Sequence, residues 1–107
     1  MSFFSKLFGG GSPQRSIEEL LNDGGVILDV RTPAEYKSGH IKRSINIPLD
    51  MLSTKLNQLD KSKPVITCCA SGMRSGSAKG ILKSNGFTEV VNGGSWSSLR
   101  KYDQKAA

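Results

Sequence analysis

From residue 16 to residue 99 the chain alternates short apolar runs with capped helix starts, and this alternation narrows the fold more than any other feature. Ser16-Ile-Glu-Glu19 sets Ser at an N-cap and Glu three positions on, a capping box, and predicts a helix to about Asn22 that stops at Gly24-Gly25. Val26-Ile-Leu-Asp-Val30 reads as a buried strand. Thr32-Pro33-Ala34-Glu35 repeats the capping logic with Pro in the first turn, and Gly39 ends that short helix. Ser44-Ile-Asn-Ile47 predicts a second strand, stopped by Pro48. Asp50 is expected to cap a helix through Leu59, with Met51, Leu52, Leu56 and Leu59 turned inward. After a turn at Lys61-Ser-Lys-Pro64, Val65-Ile-Thr-Cys-Cys69 is the third strand. Residues 74–84 follow as a helix with Ala78, Ile81 and Leu82 inside and Gly86 at its end. Residues 87–91 lead into the last strand, and Asn92-Gly93-Gly94 is expected to turn into a closing helix carrying Trp96 and Leu99. Strands and helices in strict alternation imply an α/β domain, with a mostly parallel sheet covered by helices on both faces.

One such domain fits within 107 residues. It is expected over residues 15–102, preceded by an N-terminal arm and Gly-rich linker (residues 1–14) and followed by a C-terminal tail (residues 103–107). Apolar residues 3, 4, 7 and 8 fit one side of a short helix, but Ser5 and Lys6 break the run a signal peptide needs, so neither cleavage nor export is expected. No apolar stretch is long enough for stable membrane insertion. The net charge of +6 comes from basic residues spread along the chain rather than clustered, and aromatics are only 7%. That pattern argues against nucleic acid as a partner and is compatible with small anions. Two adjacent cysteines cannot build a disulfide framework, and a single histidine speaks against a metal site. The composition points to reduced-cysteine chemistry or to none, in a protein expected in the cytoplasm and with no cofactor expected.

In an open α/β sheet the ligand sits beyond the carboxyl ends of the strands. Cys69-Ala70-Ser71-Gly72-Met73-Arg74-Ser75 occupies such a place, between a buried strand and a helix. Its cysteine lies where the strand stops, with the sulfur expected to reach solvent. Small residues and Gly72 allow a tight curl whose N–H groups converge as an anion nest, and the helix start adds its positive end. A thiolate is favoured there over the thiol, and Arg74 adds a fixed charge at the rim. The chemistry this suits is attack by a Cys69 thiolate on an anion. Pleating turns Cys68 to the opposite face, where it reads as a structural residue.

Asp29-Val30-Arg31, Glu35-Tyr36, Gly39-His40-Ile41, Ile45-Asn46-Ile47-Pro48, Cys69-x-x-Gly72-x-Arg74-Ser75 and Gly93-Gly94-x-Trp96, in that order, resemble a single-domain rhodanese-like sulfurtransferase. The resemblance covers nearly the whole domain. It implies a three-layer fold with a central parallel sheet, and sulfur transfer through a persulfide on Cys69 cradled by the backbone of Ala70, Ser71, Gly72, Met73 and Arg74. It also implies a small anionic sulfur donor such as thiosulfate, a thiol or cyanide as acceptor, and a protein as a further possible acceptor. Phosphatases and arsenate reductases related to this family carry five residues between Cys and Arg. Here there are four, and the narrower loop suits a sulfur atom. Ala70 stands where many members place a second polar or basic side chain, which weakens the expectation of a strong preference for small dianions. The alternative reading is a protein-partner sulfur-relay or binding module with little small-molecule turnover.

Ser75, Asp29, Arg31 and Trp96 are expected in supporting roles. Asp29 should accept backbone N–H bonds, Arg31 should pair with an acid such as Glu35, and Trp96 should pack so as to close the pocket. His40 is expected to fix a turn rather than act as a base.

Overall fold

The structure, a computed structural model, describes residues 15–103. The arm expected at residues 1–14 lies outside the described residues, as does the tail beyond residue 103. Four parallel strands, β1 (Val26–Asp29), β2 (Ile45–Asn46), β3 (Val65–Cys69) and β4 (Val90–Ser95), form one sheet in the order β2-β1-β3-β4. Three α-helices intervene: α1 (Ile17–Asn22), α2 (Pro33–Ser38) and α3 (Met73–Ser84). No described helix is long and apolar enough to cross a membrane.

Both expected capping boxes form. The Ser16 hydroxyl accepts from the Glu19 N–H and the Glu19 carboxylate accepts from the Ser16 N–H, and Thr32 and Glu35 repeat the exchange. These helices are only 6 residues each. Such short segments do not hold themselves as helices in water, so their caps and the packing behind them carry them.

Pleating divides the core between the two faces of the sheet. Leu28, Val65 and Cys69 pack with Leu52, Ala78 and Leu82 under α3, whereas Ile27, Ile66 and Cys68 pack with Leu20, Ile41 and Leu99 under α1 and the closing segment. The central strand β3 is buried at all five positions, as a strand covered on both sides must be.

Three expectations are corrected. Residues 50–59 are not one helix capped by Asp50. They form two 3₁₀ turns, Leu49–Thr54 and Leu56–Gln58, with Pro48 at the first N-cap and no side-chain cap. Lys55, at φ −123°, interrupts them, and Met51 points outward, 41% exposed, while Leu52 and Leu59 are buried. Asn92-Gly93-Gly94 is not a turn, because it lies inside β4. The closing segment Trp96–Tyr102 is 3₁₀ rather than α-helical.

The glycines of β4 have a tertiary reason. A Cβ on Gly93 would sit 2.8 Å from the Ile66 side chain and 2.9 Å from the Thr67 carbonyl oxygen. The pairing of β3 with β4 also slips here. Thr67 faces Asn92 and Cys69 faces Ser95, so two steps on one strand match three on the other, with Gly94 at φ +83°.

Candidate active site

β3 ends at Cys69, and the chain then turns through Ala70, Ser71 and Gly72 into α3. Gly72 is the N-cap at φ +100°, a left-handed conformation that admits glycine readily and other residues at a cost. Its neighbour across the turn is Gly94, whose Cα would lie 3.4 Å from a Cβ on Gly72. The loop thus lies against the neighbouring strand β4. The Cys69 residue is wholly buried, which corrects the expectation of a solvent-exposed sulfur. Ala70, Ser71 and Met73 form the exposed rim, Met73 at 81%.

The curl brings hydrogen-bond donors to the sulfur. The Gly72 N–H donates to Cys69 Sγ at 2.9 Å, and the Ser75 N–H donates to it from 3.4 Å. The Ser75 hydroxyl oxygen lies 3.4 Å from the sulfur. Burial works to push the Cys69 thiol up. The Ser75 hydroxyl and the N–H groups of Ser75, Gly72 and Ser71 outweigh burial, so the thiol sits below its ordinary value. On the other face of the same strand Cys68 has no such donors, and burial first, then the Asp29 charge, pushes it up to about 12. One residue of pleat therefore separates a thiol prepared to ionise from one held neutral.

Ser75 does not stand alone. Its hydroxyl donates to Asn92 Oδ1 at 2.6 Å, Asn92 Nδ2 donates to the Gly72 carbonyl at 3.1 Å, and the Gly94 N–H donates to Asn92 Oδ1 at 2.9 Å. The sequence reading missed Asn92, placing it in a turn. A polar side chain ahead of two glycines carries no local sign of pointing at a loop 20 residues away.

Arg74, expected as a fixed charge at the rim, is paired. Its Nη1 and Nη2 donate to the two oxygens of Glu35 at 2.7 and 3.0 Å, tying α3 to α2. The Arg74 guanidinium, and after it the Thr32 N–H, hold the Glu35 carboxyl at about 2. Beside Arg74, at the carboxyl ends of β1 and β2, a cleft of about 290 Å³ is lined by Val30, Thr32, Pro48, Leu49 and Asp50.

Asp29, Arg31 and Trp96 come together as a second cluster. Parallel register sets Asp29 beside Cys68, on the face away from Cys69. The Arg31 guanidinium donates to Asp29 at 2.7–3.0 Å and to the Gly39 carbonyl at 2.6 Å, and lies 4.6 Å from the centre of the Trp96 ring. Arg31 thus pairs with an acid, as expected, but the acid is Asp29 rather than Glu35, which is committed to Thr32 and Arg74. Asp29 does accept the Arg31 N–H, as expected of it. Asn46 fastens the Asp29 and Arg31 carbonyls from β2. Every buried polar side-chain atom among the described residues has a partner, so this ion pair is a satisfied brace. His40 is exposed, donates from Nδ1 to the Tyr36 carbonyl (2.7 Å) and stacks on the Tyr36 ring. Among the described residues no cluster of three or more His, Cys, Asp or Glu is placed to hold a metal ion.

The family model of the rhodanese-like domain matches residues 14–100. Among curated relatives, an uncharacterized protein of Bacillus subtilis, YqhL, is 42% identical over 62% of this chain and 52% of its own length. Thiosulfate sulfurtransferase GlpE of Pseudomonas syringae is 32% identical over 77% of this chain and 79% of its own. The chain thus spans about half of the first relative and about four fifths of the second. Among solved structures, a rhodanese with anions from E. coli superposes with a TM-score of 0.65 at 36% identity, covering 69% of this chain and 89% of that one.

Proposed function

The chain belongs to the rhodanese-like family of sulfurtransferases, and on that premise we propose that it moves a sulfane sulfur from a small anionic donor such as thiosulfate through a persulfide on Cys69. The single observation that carries the reading is the set of donors converging on the Cys69 sulfur, from Gly72 and Ser75. They favour the thiolate, the form that attacks. The thiolate attacks the outer sulfur of thiosulfate, the S–S bond of the donor breaks, and sulfite leaves with the electron pair. The outer sulfur of the resulting persulfide is anionic at neutral pH, and the inward N–H groups of the loop offset that charge. An acceptor then attacks the outer sulfur and releases the Cys69 thiolate. The product is thiocyanate from cyanide, or a new persulfide from a small-molecule or protein thiol. The unpaired cysteines suit a reducing compartment such as the cytoplasm.

Intact mass after exposure to thiosulfate tests the proposal directly. The expected result is the gain of one sulfur atom, reversed by cyanide or a thiol reductant, lost in Cys69→Ser and kept in Cys68→Ser. If Cys69→Ser kept the added sulfur, the nucleophile assignment would be wrong. If the wild-type chain gained none, the reaction would be wrong.

A further inference from the structure

The amide of Asn92 has only one orientation that fits its neighbours. The Gly94 N–H can only donate and the Gly72 carbonyl can only accept, so Oδ1 faces Gly94 and Nδ2 faces Gly72. That orientation dictates what Ser75 does. Facing Oδ1 at 2.6 Å, the Ser75 hydroxyl must donate to Asn92, which leaves only its lone pairs for the sulfur 3.4 Å away. A thiol can donate its S–H to those lone pairs, but a thiolate cannot. When the S–H proton leaves for solvent, the hydroxyl must turn from Asn92 to the sulfur in order to stabilise the charge. Asn92 Oδ1 then keeps the Gly94 N–H as its partner and is not orphaned.

We propose that Asn92 is the positioning residue of this site: its Oδ1 competes with the Cys69 sulfur for the single Ser75 hydroxyl proton and so sets the thiol–thiolate balance, while its Nδ2 grips the Gly72 carbonyl and keeps the loop N–H groups turned inward. The inference rests on Cys69 being the nucleophile. It assigns the regulation of that site to a side chain on β4 that does not touch the sulfur.

The charged groups whose fields reach the two cysteines are Arg74 on α3 and the Asp29–Arg31 pair at the end of β1, and the thiols also face each other. The test leaves those charged groups unchanged. The full chain is prepared as Cys68→Ala, so that one thiol is read, and the rate of iodoacetamide alkylation is followed against pH. Asn92→Asp puts a charged, stronger acceptor against the hydroxyl, and the midpoint is expected to rise by about one pH unit. Asn92→Ala removes the rival acceptor, and the midpoint is expected to fall by about 0.5 unit. In a Ser75→Ala background there is no hydroxyl proton to compete for, so Asn92→Ala loses only the grip on the Gly72 carbonyl and the midpoint is expected to rise rather than fall. A merely structural Asn92 gives no such opposite signs. Midpoints unmoved by both substitutions, or moved the same way, overturn the proposal. If Asn92→Asp does not fold, the comparison of Asn92→Ala with and without Ser75 decides alone, and an equal shift in both backgrounds overturns it. Alkylation needs no sulfur donor. A chain that fails to take sulfur from thiosulfate yet shows the opposite shifts refutes the reaction and keeps the role of Asn92.

Discussion

Replacing Glu35 by Gln removes a charge while keeping a cap, and so isolates what the Arg74–Glu35 pair does to an incoming anion. Gln at the third position of α2 can still accept from the Thr32 N–H, so the capping box survives. The pair itself is half open to water, with side-chain exposures of 35% and 37%, and pairs of that kind contribute about 0–1 kcal/mol. The expected loss of stability is therefore below about 1 kcal/mol, a fall in Tm of at most about 8 °C. The larger effect is on the donor. With Glu35 ionised, the charge of Arg74 is largely answered before a substrate arrives. Two unit charges a few ångströms apart in a wet rim interact by about 1 kcal/mol, so freeing Arg74 should lower KM for thiosulfate about five-fold with kcat little changed. Thiosulfate:cyanide turnover at fixed ionic strength measures it, and raising the salt should shrink the gain. An unchanged or higher KM would refute the argument that Glu35 withholds Arg74 from the donor. The pH window follows from the same pair. Glu35 sits at about 2 in the folded chain against an ordinary 4.5, so the unfolded chain binds more protons between those values. Its modest contribution is complete above about pH 4.5 and is lost as pH falls through about 2, leaving the Arg74 interaction flat with pH in the neutral range.

Asp29→Ala should cost about 3–5 kcal/mol, because it strands a guanidinium that is 3% exposed, and the urea midpoint should fall accordingly. An Asp29→Ala chain as stable as wild type would remove the brace from the account. Arg74→Ala should raise KM for thiosulfate in wild type, and the Glu35→Gln gain should vanish in that background. Gly93→Ala should destabilise by about 1–3 kcal/mol through its 2.8 Å clash with Ile66, read by thermal melting, whereas a neutral effect would mean that β4 can retreat.

What the sequence made legible was local chemistry. Ser16 with Glu19 and Thr32 with Glu35 close their boxes within one turn, so four letters suffice. The alternation that separates Cys68 from Cys69 needs only the period of a strand. What stayed hidden depends on partners distant in the chain. Glu35 had one carboxylate and two claimants, and only the fold, which brings the start of α3 to the start of α2, awards it to Arg74 rather than Arg31. Gly93 and Gly94 look like a turn until Ile66 and Leu99 are placed against Gly93. The reach of Asn92 across to Gly72 and Ser75 follows from strand order, which no local pattern encodes. Residues 50–59 read as one helix because Met51, Leu52, Leu56 and Leu59 recur at helical spacing, yet the chain tightens into 3₁₀ turns after Pro48.

The slip between β3 and β4 works as a length gauge for the whole end of the sheet that carries Cys69. Because β4 spends three steps where β3 spends two, everything after Gly94 is delivered one residue out of phase with everything before it. Asn92 is read against Thr67 in one phase and Ser95 against Cys69 in the other. Loss of a single glycine here would act like a frameshift in space. Trp96 and Leu99 would be presented to the wrong side of the sheet, while Asn92 would keep its address. Such a chain could retain an ionisable cysteine and still lose the stack of Arg31 on Trp96 that braces the opposite face. Insertions and deletions at this point are therefore not loop variation, even though the sequence there, two glycines in a row, looks like a loop.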